Sequence, residues 1–149
     1  LYPSLPDTLA THFSFTGSPD SYAQKSFFVV FFIPILQSVL TALFFFLYAN
    51  PQYMHIPSSM LVHLLPEPYR AHIFAVFRKT ISAVGVLVNI LFTYIGLAIL
   101  ASATGEAFLN PWIIFGLVAL LIAVAFVSSL SSWHIVHEAI HRHHFVEKK

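Results

Sequence analysis

The sequence predicts an all-α integral membrane protein, and three observations predict it. Of 149 residues, 58% are hydrophobic and 9% charged, with a mean hydropathy of +0.80, whereas soluble domains carry about 25% charged residues. Three apolar runs each reach the roughly 20 residues that a helix needs to cross a bilayer. Lys and Arg lie outside those runs. The composition also excludes several chemistries. There is no cysteine, hence no disulfide, iron–sulfur or thiolate site. The formal charge of +1 is not the basic face that nucleic acid requires.

The whole chain, residues 1–149, reads as a single membrane domain. Residues 1–26 form a polar segment set directly before the first span. It is dense in backbone punctuation: Gly17 can take a positive φ at no steric cost, and Pro19 fixes its own φ and pushes Ser18 toward an extended conformation. An ordered, folded loop is therefore expected, with Gly17 and Pro19 as its structural turn, presenting His12, Asp20, Tyr22 and Lys25. Residues 27–49 are the first span, with Pro34 as a kink and Gln37, Ser38 and Thr41 as polar positions. The connection over residues 50–79 holds Pro51, Pro57, Pro66 and Pro68 among apolar residues such as Met54, Ile56, Met60, Leu61, Leu64 and Leu65. A connection this apolar is expected to lie on the membrane surface.

The second span covers residues 80–103 and is entered by a helix that begins near Pro68; it carries Gly85, Asn89 and Gly96. The third covers residues 111–131, with Pro111 suited to a first helical turn and Trp112 to an interfacial belt. It is expected to run on into a His-rich helical tail, residues 132–149. The connection over 50–79 holds Arg70, Arg78 and Lys79 and the tail holds Arg142, Lys148 and Lys149, while the loop over 102–110 has neither Lys nor Arg. The positive-inside rule then places 50–79 and the tail in the cytoplasm, and the His12 loop and the 102–110 loop outside.

Within the spans, Gln37 and Asn89 are amides in hydrocarbon, where an unpaired polar group is costly, so each should face another helix as interhelical glue. No Asp, Glu, Lys or Arg lies in the middle of a span, which weakens an ion-coupled transporter. No His lies at mid-membrane depth, which gives haem ligation little support.

In the tail, His137-Glu138-Ala139-Ile140-His141 matches the H-E-x-x-H pattern, in which two imidazoles on one helix face bind Zn²⁺ and the Glu polarises a bound water. A His-rich tract produces that pattern by chance more often than an average sequence does. A third ligand is also needed. Glu147, the only carboxylate downstream, is too near in sequence, which leaves His63, Glu67 and His72 of the cytoplasmic connection. The plain reading is an amphipathic tail facing lipid headgroups. A non-catalytic zinc site of His134, His137 and His141 lies between the two. For His12 the plain reading is a structural residue bonded to backbone or to Tyr22, and for Asp20 and Lys25 an exposed ion pair. The alternative places His12, Asp20, Tyr22 and Lys25 on one extracytoplasmic face that contacts a ligand or partner.

The spacing Pro-x(5)-His-Phe-x(3)-Gly-x-Pro-Asp-x-Tyr-x-x-Lys, carried by Pro6, His12, Phe13, Gly17, Pro19, Asp20, Tyr22 and Lys25, resembles the extracytoplasmic loop of the bacterial membrane domain of unknown function numbered sixteen forty-eight. That domain also opens the SdpI-like toxin-immunity proteins. The resemblance is good over residues 1 to about 50 and thinner to about 100. The family usually has Pro two residues before the His, where this chain has Ala10. The resemblance implies a further transmembrane helix before Leu1, four in the full chain. It also implies a multi-pass protein of the bacterial cytoplasmic membrane that is not an enzyme and acts in immunity or in sensing and signal relay, with the lipid bilayer and a membrane-active peptide toxin as partners and no cofactor. Two other classes remain: an accessory subunit packed against a larger membrane complex, and a membrane zinc hydrolase using His137, Glu138 and His141.

Overall fold

The computed structural model describes residues 2–53, 62, 65–105 and 109–146, with side chains as far as His141. It opens on two strands, β1 (Thr8–Phe13) and β2 (Pro19–Gln24). Helix α1 (Phe27–Ala49) follows, then a 3₁₀ turn (Pro51–Tyr53), α2 (Glu67–Ala103) and α3 (Pro111–Val146). Among the described residues these three helices are long and apolar enough to cross a membrane, and the chain is a multi-pass membrane protein. The three predicted spans fall on them: α2 starts at Glu67, next to the expected Pro68, and α3 continues without a break into the His-rich tail.

Local chemistry accounts for the helix boundaries. The Ser26 hydroxyl accepts from the Val29 amide at 3.2 Å and caps α1. Asn110 does the same for α3 through the Trp112 amide at 3.0 Å, with Pro111 at the first helical position, where its missing N–H costs nothing. Beyond the end of α2, Gly105 takes φ 81°, the left-handed residue that closes many helices. At 37 residues α2 is about 55 Å long, against about 30 Å of bilayer hydrocarbon. Its first turns, which carry Arg70, Arg78 and Lys79, therefore extend past the apolar layer.

Two compact units divide the chain. The first, Leu1–Thr41 with Val86–Leu120, contains the hairpin, and its buried residues include Leu9, Ala10, Ala98 and Leu109. The second, Ala42–Gly85 with Leu121–Lys149, buries Val62, Ile73, Phe77 and Val136 in one apolar cluster. That cluster joins the polar-flanked start of α2 to the far end of α3. In the most apolar stretches of α1 and α3 no residue is buried, as expected where lipid and not protein covers the side chains.

The ordered loop expected over residues 1–26 takes the form of a β-hairpin. Pairing runs Thr8↔Gln24, Leu9↔Ala23 and Ala10↔Tyr22, then slips, continuing as His12↔Ser21 and Phe13↔Pro19. Thr11 and Asp20 are each left over at the slip. The turn between the strands closes through Ser14 N–H to the Ser18 carbonyl at 2.8 Å and Gly17 N–H to the Ser14 carbonyl at 2.9 Å. Pro19 occupies the first position of its strand, where a missing N–H is tolerated. Of the 50–79 connection, residues 54–61, 63 and 64, which include most of the apolar residues behind its expected membrane-surface location, lie outside the described residues, and residues 67–79 form the start of α2.

Candidate functional site

The slipped register sets up the site. A bulge leaves residues unpaired and re-aims side chains; here it brings the His12 Nδ1 to 2.5 Å from the Asp20 Oδ1. The expected partners of His12, backbone or Tyr22, are replaced by this carboxylate. Likewise Asp20 does not pair with Lys25. The Lys25 ammonium donates to the Leu5 carbonyl at 2.6 Å, lies 3.8 Å from the Asp7 carboxylate and 5.8 Å from the centre of the Tyr2 ring, and is 18% exposed. It is a strut holding the start of the chain against the base of the hairpin. Tyr22 stays exposed on β2.

His12 is 69% and Asp20 43% exposed. Holding Nδ1 against a carboxylate favours the tautomer in which Nδ1 donates and Nε2 keeps its lone pair, an acceptor or ligand atom with a fixed direction. Protonation would instead give an ion pair with Nε2 as a second donor.

β1 divides two cavities. Ala10, Thr11, His12 and Phe13 line the larger, of about 620 Å³, which α1, α2 and α3 close with Phe28, Phe32, Ile95 and Phe115 among others. Leu9 lines the smaller, of about 310 Å³, which reaches Gln37 and Thr93. Consecutive strand residues point to opposite faces, so Leu9 and Ala10 serve different cavities, and both are buried to within 1%. Sequence reasoning did not find these cavities. Their walls are Phe, Ile and Leu, which read as ordinary membrane-facing residues until the hairpin is laid over them.

The turn seats the hairpin. Gly17 takes φ 87°, as its place in the sequence predicted, and a Cβ there would collide with the Leu109 carbonyl and sit 3.2 Å from Pro111 Cδ. Leu109 is itself held in place: the Tyr94 hydroxyl accepts from the neighbouring Asn110 amide at 2.7 Å. At the tip Phe15 meets Phe115 at 5.3 Å between ring centres, and Phe115 meets Trp112 at 6.0 Å. This aromatic group suits the bilayer interface.

Below the hairpin, Gln37 and Asn89 do face each other. The Gln37 amide donates to Asn89 Oδ1 at 2.9 Å and to Thr93 Oγ1 at 3.1 Å, and the Thr41 hydroxyl donates to Asn89 Oδ1 at 3.0 Å.

In the tail, His137 and His141 converge, Nε2 to Nε2, at 3.1 Å. His134 does not join them: among the described residues no group of three His, Cys, Asp or Glu is placed to hold a metal ion. Of the proposed third ligands, Glu67 is bonded to Arg70, His72 is exposed, and His63 lies outside the described residues.

Residues 1–37 match the family described as Domain of unknown function (DUF1648). The matched segment carries the hairpin, His12, Gly17, Asp20 and Lys25, and ends on Gln37. No curated protein matches the chain, and no solved structure matches it.

Proposed function

We propose that this chain is a non-enzymatic protein of the bacterial cytoplasmic membrane, of SdpI-like type, whose extracytoplasmic hairpin meets a membrane-active agent and thereby gives immunity or relays a signal. The observation that carries the reading is the His12–Asp20 pair at the edge of the larger cavity. A cavity of this size is in the range that holds small ligands or part of a larger one, with apolar walls supplying affinity and a few polar groups supplying orientation. An agent that partitions into the bilayer has both an apolar part for Phe28, Phe32 and Phe115 and a polar part for His12 and Asp20. The DUF1648 match over the hairpin supports the same class. The polar network of Gln37, Thr41 and Asn89, carried on the helices that also wall the cavities, offers a path from an occupied cavity into the membrane segment.

The test is a growth assay in bacteria producing the chain, challenged with a panel of membrane-active peptides. Protection by the parent chain that is lost in His12→Ala and in Asp20→Asn, with both variants still folded and membrane-inserted, is the expected result. Protection unchanged in both variants, or no protection against any member of the panel, overturns the reading.

A further inference from the structure

The far end of α3 carries a pair of side chains for which the extracytoplasmic reading has no use. His137 and His141 are one helical turn apart; their Nε2 atoms lie 3.1 Å from each other and their ring centres 4.3 Å apart. Both side chains are exposed. The turn that bears them is anchored from behind, because Val136 and Ala139 are buried to 1% and 0% and Val136 belongs to the apolar cluster with Ile73 and Phe77. The two rings thus stand on an anchored helical turn, with the same nitrogen of each brought within 3.1 Å of the other.

We propose that His137 and His141 chelate a divalent transition-metal ion, of the Zn²⁺, Ni²⁺ or Cu²⁺ class, through both Nε2 atoms. Two imidazole nitrogens at about 2.0–2.1 Å from a tetrahedral ion are about 3.3 Å apart. The observed separation is within a few tenths of an ångström of that, so an ion enters with small side-chain rotations and no backbone shift. Without an ion the contact needs one ring to donate an Nε2–H to the lone pair of the other; the ion takes the place of that proton and is bound by both lone pairs. Among the described residues no third protein ligand completes the set, and the two imidazoles leave the remaining positions of a tetrahedral ion to other donors. Nitrogen donors without a thiolate rank the metals by the general order, with Cu²⁺ held more tightly than Ni²⁺ or Zn²⁺. The bound ion cross-links successive turns of α3 and so stabilises the end of the helix by mass action.

The experiment is a calorimetric titration of tag-free, detergent-solubilised full chain with the chlorides of Zn²⁺, Ni²⁺ and Cu²⁺. Saturable binding of a single ion per chain is expected, tightest for Cu²⁺. It should weaken by at least about tenfold in His137→Ala and in His141→Ala, and by no more than about twofold in His134→Ala. Thermal unfolding without metal should be the same in all four proteins, since these side chains are exposed. Absence of saturable binding overturns the proposal, and so does binding that survives unchanged in the His137→Ala, His141→Ala double variant, which would assign the ion to other histidines.

Discussion

Gly17 and His12 lie on the same hairpin and differ sharply in what replacement would do. Gly17 combines φ 87° with a Cβ position already occupied by the Leu109 carbonyl. In Gly17→Val a β-branched side chain would have to adopt a left-handed backbone and displace the segment before α3. Strain of that kind costs about 1–3 kcal/mol for the backbone conformation alone, and the collision adds to it. His12 in its exposed pair with Asp20 contributes about 0–1 kcal/mol. Gly17→Val should therefore lower the unfolding temperature in detergent well below that of His12→Ala. Equal shifts would mean that the turn is not seated on Leu109. Lys25 falls between these extremes, because Lys25→Met removes the bond to the Leu5 carbonyl without touching the turn.

Among the elements, the contact between α1 and α2 rests on amide chemistry in an apolar setting. Asn89 Oδ1 accepts from both Gln37 and Thr41, whereas Gln37 donates to a site that Thr41 partly retains when Gln37 is lost. Asn89→Ala is therefore expected to destabilise more than Gln37→Ala, with each change on the order of 1 kcal/mol, the usual range for hydrogen bonds between membrane helices. Unfolding in mixed micelles of graded denaturing detergent measures the difference. Both variants behaving as the parent would show that these amides face lipid headgroups or water and not each other. At the other end of α1 the Arg78 side chain donates to the Tyr48 carbonyl at 3.3 Å, placing a cation on the unsatisfied carbonyls of a helix end.

For the molecule as a whole, the placement of Lys and Arg makes a sided prediction. The chain has no native cysteine, so single cysteines at Ser18 and Gln52, both exposed, report directly. In intact cells an impermeant thiol reagent should label Ser18→Cys and leave Gln52→Cys unlabelled until the membrane is opened. The opposite pattern would invert the topology and remove the hairpin from the outer face.

The spans, the N-terminal start of α3 at Pro111 and the positive φ of Gly17 were legible in the residues themselves. Each is set by a local property: a run of apolar side chains long enough for a bilayer, a ring that suits a first turn, a residue without a Cβ. The hairpin was not legible. Its strands, TLATHF and PDSYAQ, have no clean alternation, and they pair because Leu9 and Ala10 are buried against the helices, a gain that exists only after the chain has come together. The partners of the polar residues were equally a tertiary matter. His12 could have met Tyr22 or backbone, and Asp20 could have met Lys25, with the same composition and spacing. The register slip at Thr11 and Asp20 and the carbonyl of Leu5 decided between them. Of the three tail histidines weighed as ligands, His134, His137 and His141, the side-chain rotations bring His137 and His141 together and leave His134 apart, because helical spacing sets which residues share a face but not which nitrogens meet.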